Sequence, residues 1–401
     1  ITAMRERLAN KEQVLIFLNR RGYAPALHCK SCGWVSQCSR CTTFTVLHRA
    51  KQGRHQLHCH HCGFQQRVPN ACPECGDQDM QPMGRGTQRI EEHLAELFPE
   101  ARVLRIDADS TRKKIALVVV GMHRSGTSAM ARLLSLSGAA LPSDLMAAGI
   151  DNPTGFWEST DVARINDQIL GHYGSAWDDV FSGAQQPFAN GIDEALVAEA
   201  AAAINQLYGP APLIVLKDPR VSVLGRFWRA ALEQAGYMPR YVVMVRNPLE
   251  VAASLAKRNG FSREKSLLLW SSYMIAAERD TRDAPRVFVS YDHLLGDWRA
   301  NLSRVERELG LTLPGRTSTA SVEADRFLTS ELRHHVERVP LDAHSSVWAP
   351  AKSLHAWFTA AAEGETPPNL APEQVEEELS DLRDLFGPIL AEAQMTVQAQ
   401  V

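Results

Sequence analysis

Ile115–Leu134, IALVVVGMHRSGTSAMARLL, decides how the larger part of the chain is read. Its first six residues, Ile115 to Val120, form a continuous apolar run, the pattern of a parallel strand buried on both faces. Gly121 ends the run. The loop Met122 to Ser128 follows, and Ala129 to Leu136 has helical spacing. Strand, glycine-bounded loop and helix together make a phosphate site, because loop amides and the helix N-terminus point at the anion. Gly126 lets the backbone approach a ligand closely. Thr127 and Ser128 add hydroxyl donors, and Arg124 adds a fixed positive charge. The bland alternative is a plain glycine turn.

The loop nearly fits the nucleotide pattern G-x-x-x-x-G-K-[ST], with Gly121, Gly126 and Ser128 in place. Thr127 stands where the lysine that reaches the terminal phosphates of ATP belongs, so ATP hydrolysis is not expected. Downstream, Ala211–Leu216, Tyr241–Val245 and Arg286–Tyr291 read as strands, separated by helical stretches. That alternation predicts an α/β fold, a parallel sheet with helices on both faces. Arg246 falls at the C-terminal end of a predicted strand, where open α/β sheets bind ligands. Ser254 lies about two turns into the next helix, so the two can clamp one phosphate. Read alone, the pair is an exposed arginine and a helix serine.

The loop residues Arg124, Ser125, Gly126, Thr127 and Ser128 resemble the 5'-phosphosulfate loop of sulfotransferases. These enzymes use PAPS (3'-phosphoadenosine 5'-phosphosulfate). Arg246 and Ser254 resemble the same family's 3'-phosphate motif. VSYDHLLGDWRANLSRVERELGL, residues 289–311, is similar to its closing segment. The resemblance covers about residues 115–310. It implies the P-loop sulfotransferase fold, PAPS as donor, and a hydroxyl acceptor such as a sugar or lipid. Glu158, on the segment NPTGFWE, is then the candidate base, and a helix-start glutamate is its bland reading. His123 and Lys217 are the alternatives. Lys217 and Arg220, in KDPR, are also candidates for orienting donor or acceptor. Arg124 would carry charge at the reacting centre, so no catalytic metal is needed.

The head of the chain reads differently. All eight cysteines lie between Cys29 and Cys75, as four C-x-x-C pairs: Cys29/Cys32, Cys38/Cys41, Cys59/Cys62 and Cys72/Cys75. Two residues between thiolates let a tight turn aim both sulfurs at one ion, and two pairs complete a tetrahedral site. Four pairs predict two zinc ions; a redox pair or an iron–sulfur cluster is the other reading. A nested pairing, outer with outer and inner with inner, is preferred. His28, His48, His55, His58, His60 and His61 interleave and are read as solvated or DNA-facing. The confinement of cysteine to this stretch fits metal ligation in the cytosol better than secreted disulfides.

LIFLNRRGYAP, the four cysteine pairs, GRGTQRIEEHL and RVLRIDADSTR resemble the primosomal replication-restart helicase family, PriA, over residues 1 to about 114. The resemblance implies a two-zinc module inserted in a truncated second helicase lobe, with contacts to branched DNA and the primosome. The family's motor motifs are not found beside it, so helicase or ATPase activity is not expected. The predicted domains are therefore 1–114, with a zinc module at 29–75, and 115–401. The join is abrupt. It is either an artificial or misassembled union of two genes, the preferred reading, or a natural fusion with an atrophied helicase half. Charge divides there too. Residues 1–114 carry 18 Lys+Arg against 11 Asp+Glu, and the remainder carries 25 against 35. A basic segment suits weak phosphate contacts with DNA. No run is apolar and long enough to span a membrane and no signal peptide is read, so a cytoplasmic location is expected.

Overall fold

A computed structural model of the chain describes residues 2–10, 12–14, 16, 26–41, 43–49, 55–59, 62–83, 93–101, 103, 114–149, 155–181, 192–315, 317–329, 336–337, 341, 347–367 and 371–399. It divides into two compact units. One comprises Ile1–Lys113 with Pro210–Pro212 and Pro314–Ala320. The other comprises Lys114–Gly209, Leu213–Leu313 and Ser321–Val401.

The first unit holds the helix Thr2–Ala9 and five short strands: β1 (Ala26–Cys29), β2 (Val46–Arg49), β3 (His55–His58), β4 (Gln65–Arg67) and β5 (Met80–Met83). β1 pairs antiparallel with β5, and β2, β3 and β4 form an antiparallel meander. Its apolar cluster is small: Leu27, Leu47 and Leu57, with Trp34, Val68 and Met80 packed against them. Burying a leucine contributes about 1.5–3 kcal/mol, while ordering each residue costs about 1–2 kcal/mol of backbone entropy. Three leucines do not offset that cost, so the module needs staples. From sequence the apolar run Gln13–Leu18 reads as a buried strand, but Gln13, Val14 and Ile16 form none, and Val14 and Ile16 are exposed. The rest of that run lies outside the described residues, as do residues 19–23, which read as a basic turn, and most of 102–106, which read as a strand.

The second unit is built on a four-stranded parallel sheet: β6 (Lys114–Val120), β7 (Leu213–Lys217), β8 (Tyr237–Val245) and β9 (Arg286–Ser290), in the order β7-β6-β8-β9. Val119 is paired with Lys217 and Val242, and Val245 with Ser290, so the C-terminal ends of the strands share one edge. Leu117, Val119, Val215, Val242, Met244 and Val289 face a core shared with the helices Thr127–Leu136 and Trp298–Leu309. Phe288 meets Trp357 and Phe358 of the helix Ala349–Glu363. Covering both faces explains the uninterrupted apolar runs. Among the described residues, no helix is long and apolar enough to cross a membrane.

Candidate functional site

The loop after β6 is fixed by its glycines. Gly121 has φ 137°, and a Cβ there would lie 2.8 Å from the Met244 carbonyl oxygen. Gly126 has φ 86°, and a Cβ there would lie 2.2 Å from Cδ2 of Tyr291. Both positions therefore demand glycine twice, by backbone conformation and by space. Ser222 clasps the start of the loop, accepting from the Gly121 N–H at 2.9 Å and donating to the Gly121 carbonyl at 3.2 Å. Thr127 opens a ten-residue helix behind Gly126. Its N-terminus and the preceding amides form the anion cradle. The Ser125 hydroxyl is fully buried in that cradle with no hydrogen-bond partner, the kind of orphan an anion's oxygen would satisfy.

Arg246 and Ser254 come to the same place from β8 and its helix. Asn247 caps that helix by accepting from the Leu249 N–H, Pro248 takes its first position, and Gly260 ends it at φ 69°. Two turns along, the Ser254 hydroxyl accepts from Arg124 Nε–H at 2.8 Å. Arg246 Nη1 donates to the Arg124 carbonyl at 2.8 Å, its Nε donates to Glu250 at 3.0 Å, and its guanidinium stands 4.7 Å over the Tyr291 ring. The two sequence clusters, more than a hundred residues apart, are thus one cluster in space.

A second group flanks the loop. Lys217, at the end of β7, is 4% exposed. Its ammonium donates to Ser128 Oγ and to the Phe156 carbonyl, each at 3.1 Å, and to the Glu158 carboxylate. Burial pushes the Glu158 carboxyl above its ordinary value, and the Lys217 ammonium opposes that rise. A base poised nearer neutrality suits proton abstraction from a hydroxyl. His123 sits apart from this pair, with its ring 4.8 Å from Trp177 and 5.6 Å from Tyr273. Its Nε2 is buried without a partner, and burial drives its pKa well below the ordinary range, so it is a neutral imidazole. Arg220 is committed to structure: it binds Asp218 at 2.7 Å and also pairs with Asp167, while Asp218 caps the 3-10 turn Pro219–Ser222.

Sequence reasoning overlooked Ser222, Glu250 and Tyr291. Glu250 was legible, four residues after Arg246 on one helix face. Tyr291 carried no local signal, because its role is a contact with a glycine far away in sequence.

In the first unit, the eight sulfurs gather into two nested sets: Cys29, Cys32, Cys72 and Cys75, and Cys38, Cys41, Cys59 and Cys62. Within each set the Sγ atoms lie within 4.8 Å of one another. Sulfurs at about 2.3 Å from a tetrahedral zinc are about 3.8 Å apart. The distances Cys29–Cys75 of 3.7 Å, Cys32–Cys72 of 3.5 Å, Cys38–Cys62 of 3.4 Å and Cys41–Cys59 of 3.4 Å fit that geometry. Three pairs end in a left-handed glycine, Gly33, Gly63 and Gly76, at φ 76–79°. The N–H of each donates back to the first cysteine's carbonyl, closing the turn that aims both sulfurs inward. In all four pairs the first cysteine's N–H donates to the carbonyl five residues on, as Cys38 does to Thr43. Burial pushes the Cys62 thiol upward, while at Cys41 burial, the largest single influence, is outweighed by the hydrogen bonds from Thr43, Cys59 and Cys38 together and the pKa falls to about 6. His48 departs from expectation: it is 7% exposed and stacked on His58 at 4.3 Å, so it is a packing residue and not a solvated one. His60 and His61 lie outside the described residues.

Comparison with known proteins follows the same division. Residues 116–315 match the family model described as "Sulfotransferase family". That region is a sulfotransferase-family domain. The sulfotransferase domain from the curacin biosynthetic pathway is similar over 64% of this chain and 100% of its own, at 14% identity and a TM-score of 0.34. The N-terminal region of the chain resembles replication restart protein PriA. The Bacillus subtilis (strain 168) protein is 38% identical over 150 residues, 37% of this chain and 17% of that protein. The Haemophilus influenzae protein is 46% identical over 111 residues, 28% of this chain and 15% of that protein. The chain spans about a sixth of the length of these relatives.

Proposed function

We propose that residues 115–401 transfer a sulfuryl group from PAPS to a hydroxyl acceptor, a sugar or lipid alcohol being the favoured class. The observation that carries this reading is the convergence of Arg124, Ser254 and Arg246 at the C-terminal ends of β6 and β8, tied by contacts of 2.8 Å. A nucleotide with phosphates at both its 5' and 3' positions would engage both halves of that cluster. The loop amides, Arg124, Ser125, Gly126, Thr127 and Ser128 hold the 5'-phosphosulfate, and Arg246 with Ser254 holds the 3'-phosphate. In the transfer, the acceptor oxygen bonds to sulfur as the sulfur–oxygen bond to the 5'-phosphate breaks, releasing 3',5'-ADP. Glu158 takes the acceptor's proton. Lys217, which contacts both Glu158 and Ser128, lies where it can neutralise charge on the leaving phosphate. His123 is the reserve base.

Release of 3',5'-ADP from PAPS, assayed over a panel of carbohydrate and lipid alcohols, tests this reading. Release that depends on one acceptor class is expected. Turnover that follows ATP and not PAPS would assign the site to phosphoryl transfer instead.

For residues 1–114 we propose two structural zinc ions and a DNA- or primosome-contacting role. The tetrahedral spacing of the sulfurs favours zinc, and the likeness to PriA favours the partner. Eight metal-held thiols suit a reducing compartment such as the cytoplasm. Metal analysis of purified protein is expected to give about two zinc ions per chain, one for each set of four thiolates. Cys59→Ser should release the inner ion and leave nucleotide binding by the sulfotransferase domain unchanged. Iron with visible absorbance would overturn the assignment.

A further inference from the structure

Among the described residues, two that are not glycine have a positive φ: Arg124 at 68° and Trp157 at 58°. Arg124 belongs to the donor loop. Trp157 has had no role so far, and a bulky residue in the left-handed region is a strained one. Such conformations persist only where the surroundings over-determine them, and they gather at functional sites. The surroundings here are specific. The Arg132 guanidinium stands 4.5 Å over the Trp157 ring, and Phe327 meets it edge-on at 6.4 Å. The ring also packs against the apolar core beneath the sheet. Arg132 is itself paired with Glu323 at 3.6 Å.

The residues on either side show what this conformation achieves. The Phe156 carbonyl accepts from Ser128 Oγ and from the Lys217 ammonium, each at 3.1 Å. The Glu158 carboxylate accepts from the same ammonium. A left-handed residue between them folds the segment so that a carbonyl before it and a carboxylate after it meet one cation.

We propose that Trp157 is a positioning residue: its ring, pinned by Arg132 and Phe327, holds Glu158 and the Phe156 carbonyl on Lys217, and through Lys217 sets the Ser128 hydroxyl of the loop. The catalytic part of this inference rests on the sulfotransferase reading of the site; the positional part does not. Trp157→Ala is expected to lower kcat about tenfold to a hundredfold, the scale of a misplacement near 1 Å. Affinity for 3',5'-ADP should fall by much less than kcat, because Ser128 and Lys217 shift while the other phosphate contacts, Arg124, Arg246 and Ser254, stay in place. Trp157→Phe should recover most of the loss. In a Glu158→Gln background, Trp157→Ala should add almost nothing, since both changes act through one pair. A full additive loss in that background would overturn the proposal.

Amine acylation read by mass spectrometry supplies a test that needs no turnover. Lys217 should be protected in the unmutated protein and label several-fold faster in Trp157→Ala, with Lys257 as the exposed reference. If the unmutated protein transfers no sulfuryl group but Lys217 labelling responds this way, the sulfotransferase reading fails and the positioning role stands. Unchanged Lys217 labelling in a folded Trp157→Ala protein would overturn the positioning role itself.

Discussion

Lys217→Met is expected to lower turnover by about 10²–10³-fold, the scale on which removing one preorganised charge-stabilising donor acts. The side chain is almost wholly buried and gives its three protons to Ser128, the Phe156 carbonyl and Glu158. It therefore links the donor loop to the candidate base. Removing it also strands the Glu158 carboxylate, and breaking a buried pair costs about 3–5 kcal/mol of stability. The double variant Lys217→Met with Glu158→Gln removes both charges and should recover much of that stability without recovering activity. The pH profile separates the roles further. A base must be ionised to act, and burial raises the Glu158 carboxyl. The acidic limb of kcat should accordingly lie above the ordinary glutamate range and flatten in Glu158→Gln. If both variants keep the unmutated rate, the Glu158–Lys217 pair is structural only.

Arg246→Ala is expected to weaken 3',5'-ADP binding by about 2 kcal/mol or more, as loss of a charge-assisted contact implies. Binding of 5'-AMP should change far less, because that ligand lacks the 3' group. One complication is visible in the structure. Arg246 pairs with Glu250 at 3.0 Å, and Glu250 also accepts from the Glu337 backbone N–H at 3.0 Å. Arg246→Ala leaves that buried carboxylate without the guanidinium that balances its charge. Pairing the change with Glu250→Gln removes the stray charge, so a selective loss for 3',5'-ADP in the double variant reports on the 3'-phosphate contact alone.

The sheet and its ligand edge were legible because a strand buried on both faces shows an unbroken apolar run, as Ile115–Val120 does, and because Gly121 and Gly126 mark the turn. The boundaries were less so. β8 begins at Tyr237 and not Tyr241: Met238, Pro239 and Arg240 pair along β6 while only partly buried, and so break the apolar signature. Four C-x-x-C pairs gave two four-cysteine sites, but which pairs share a site is a tertiary fact, and the nested sets were only the preferred arrangement. Gln13–Leu18 misled because apolar β-branched residues signal a strand only where a partner strand exists. The fit of Tyr291 against Gly126, the strain at Trp157 and the sharing of Lys217 by three partners are tertiary facts with no local pattern. Glu158 was found through its motif, but its attachment to Lys217 emerges only when β7 is placed beside β6.

Calorimetric titration of the unmutated protein with 3',5'-ADP and with 5'-AMP tests the donor site most directly. The convergence of Arg124, Ser254 and Arg246 predicts that 3',5'-ADP binds more tightly, by about the 2 kcal/mol of one charge-assisted contact. Equal affinity for the two nucleotides would contradict it.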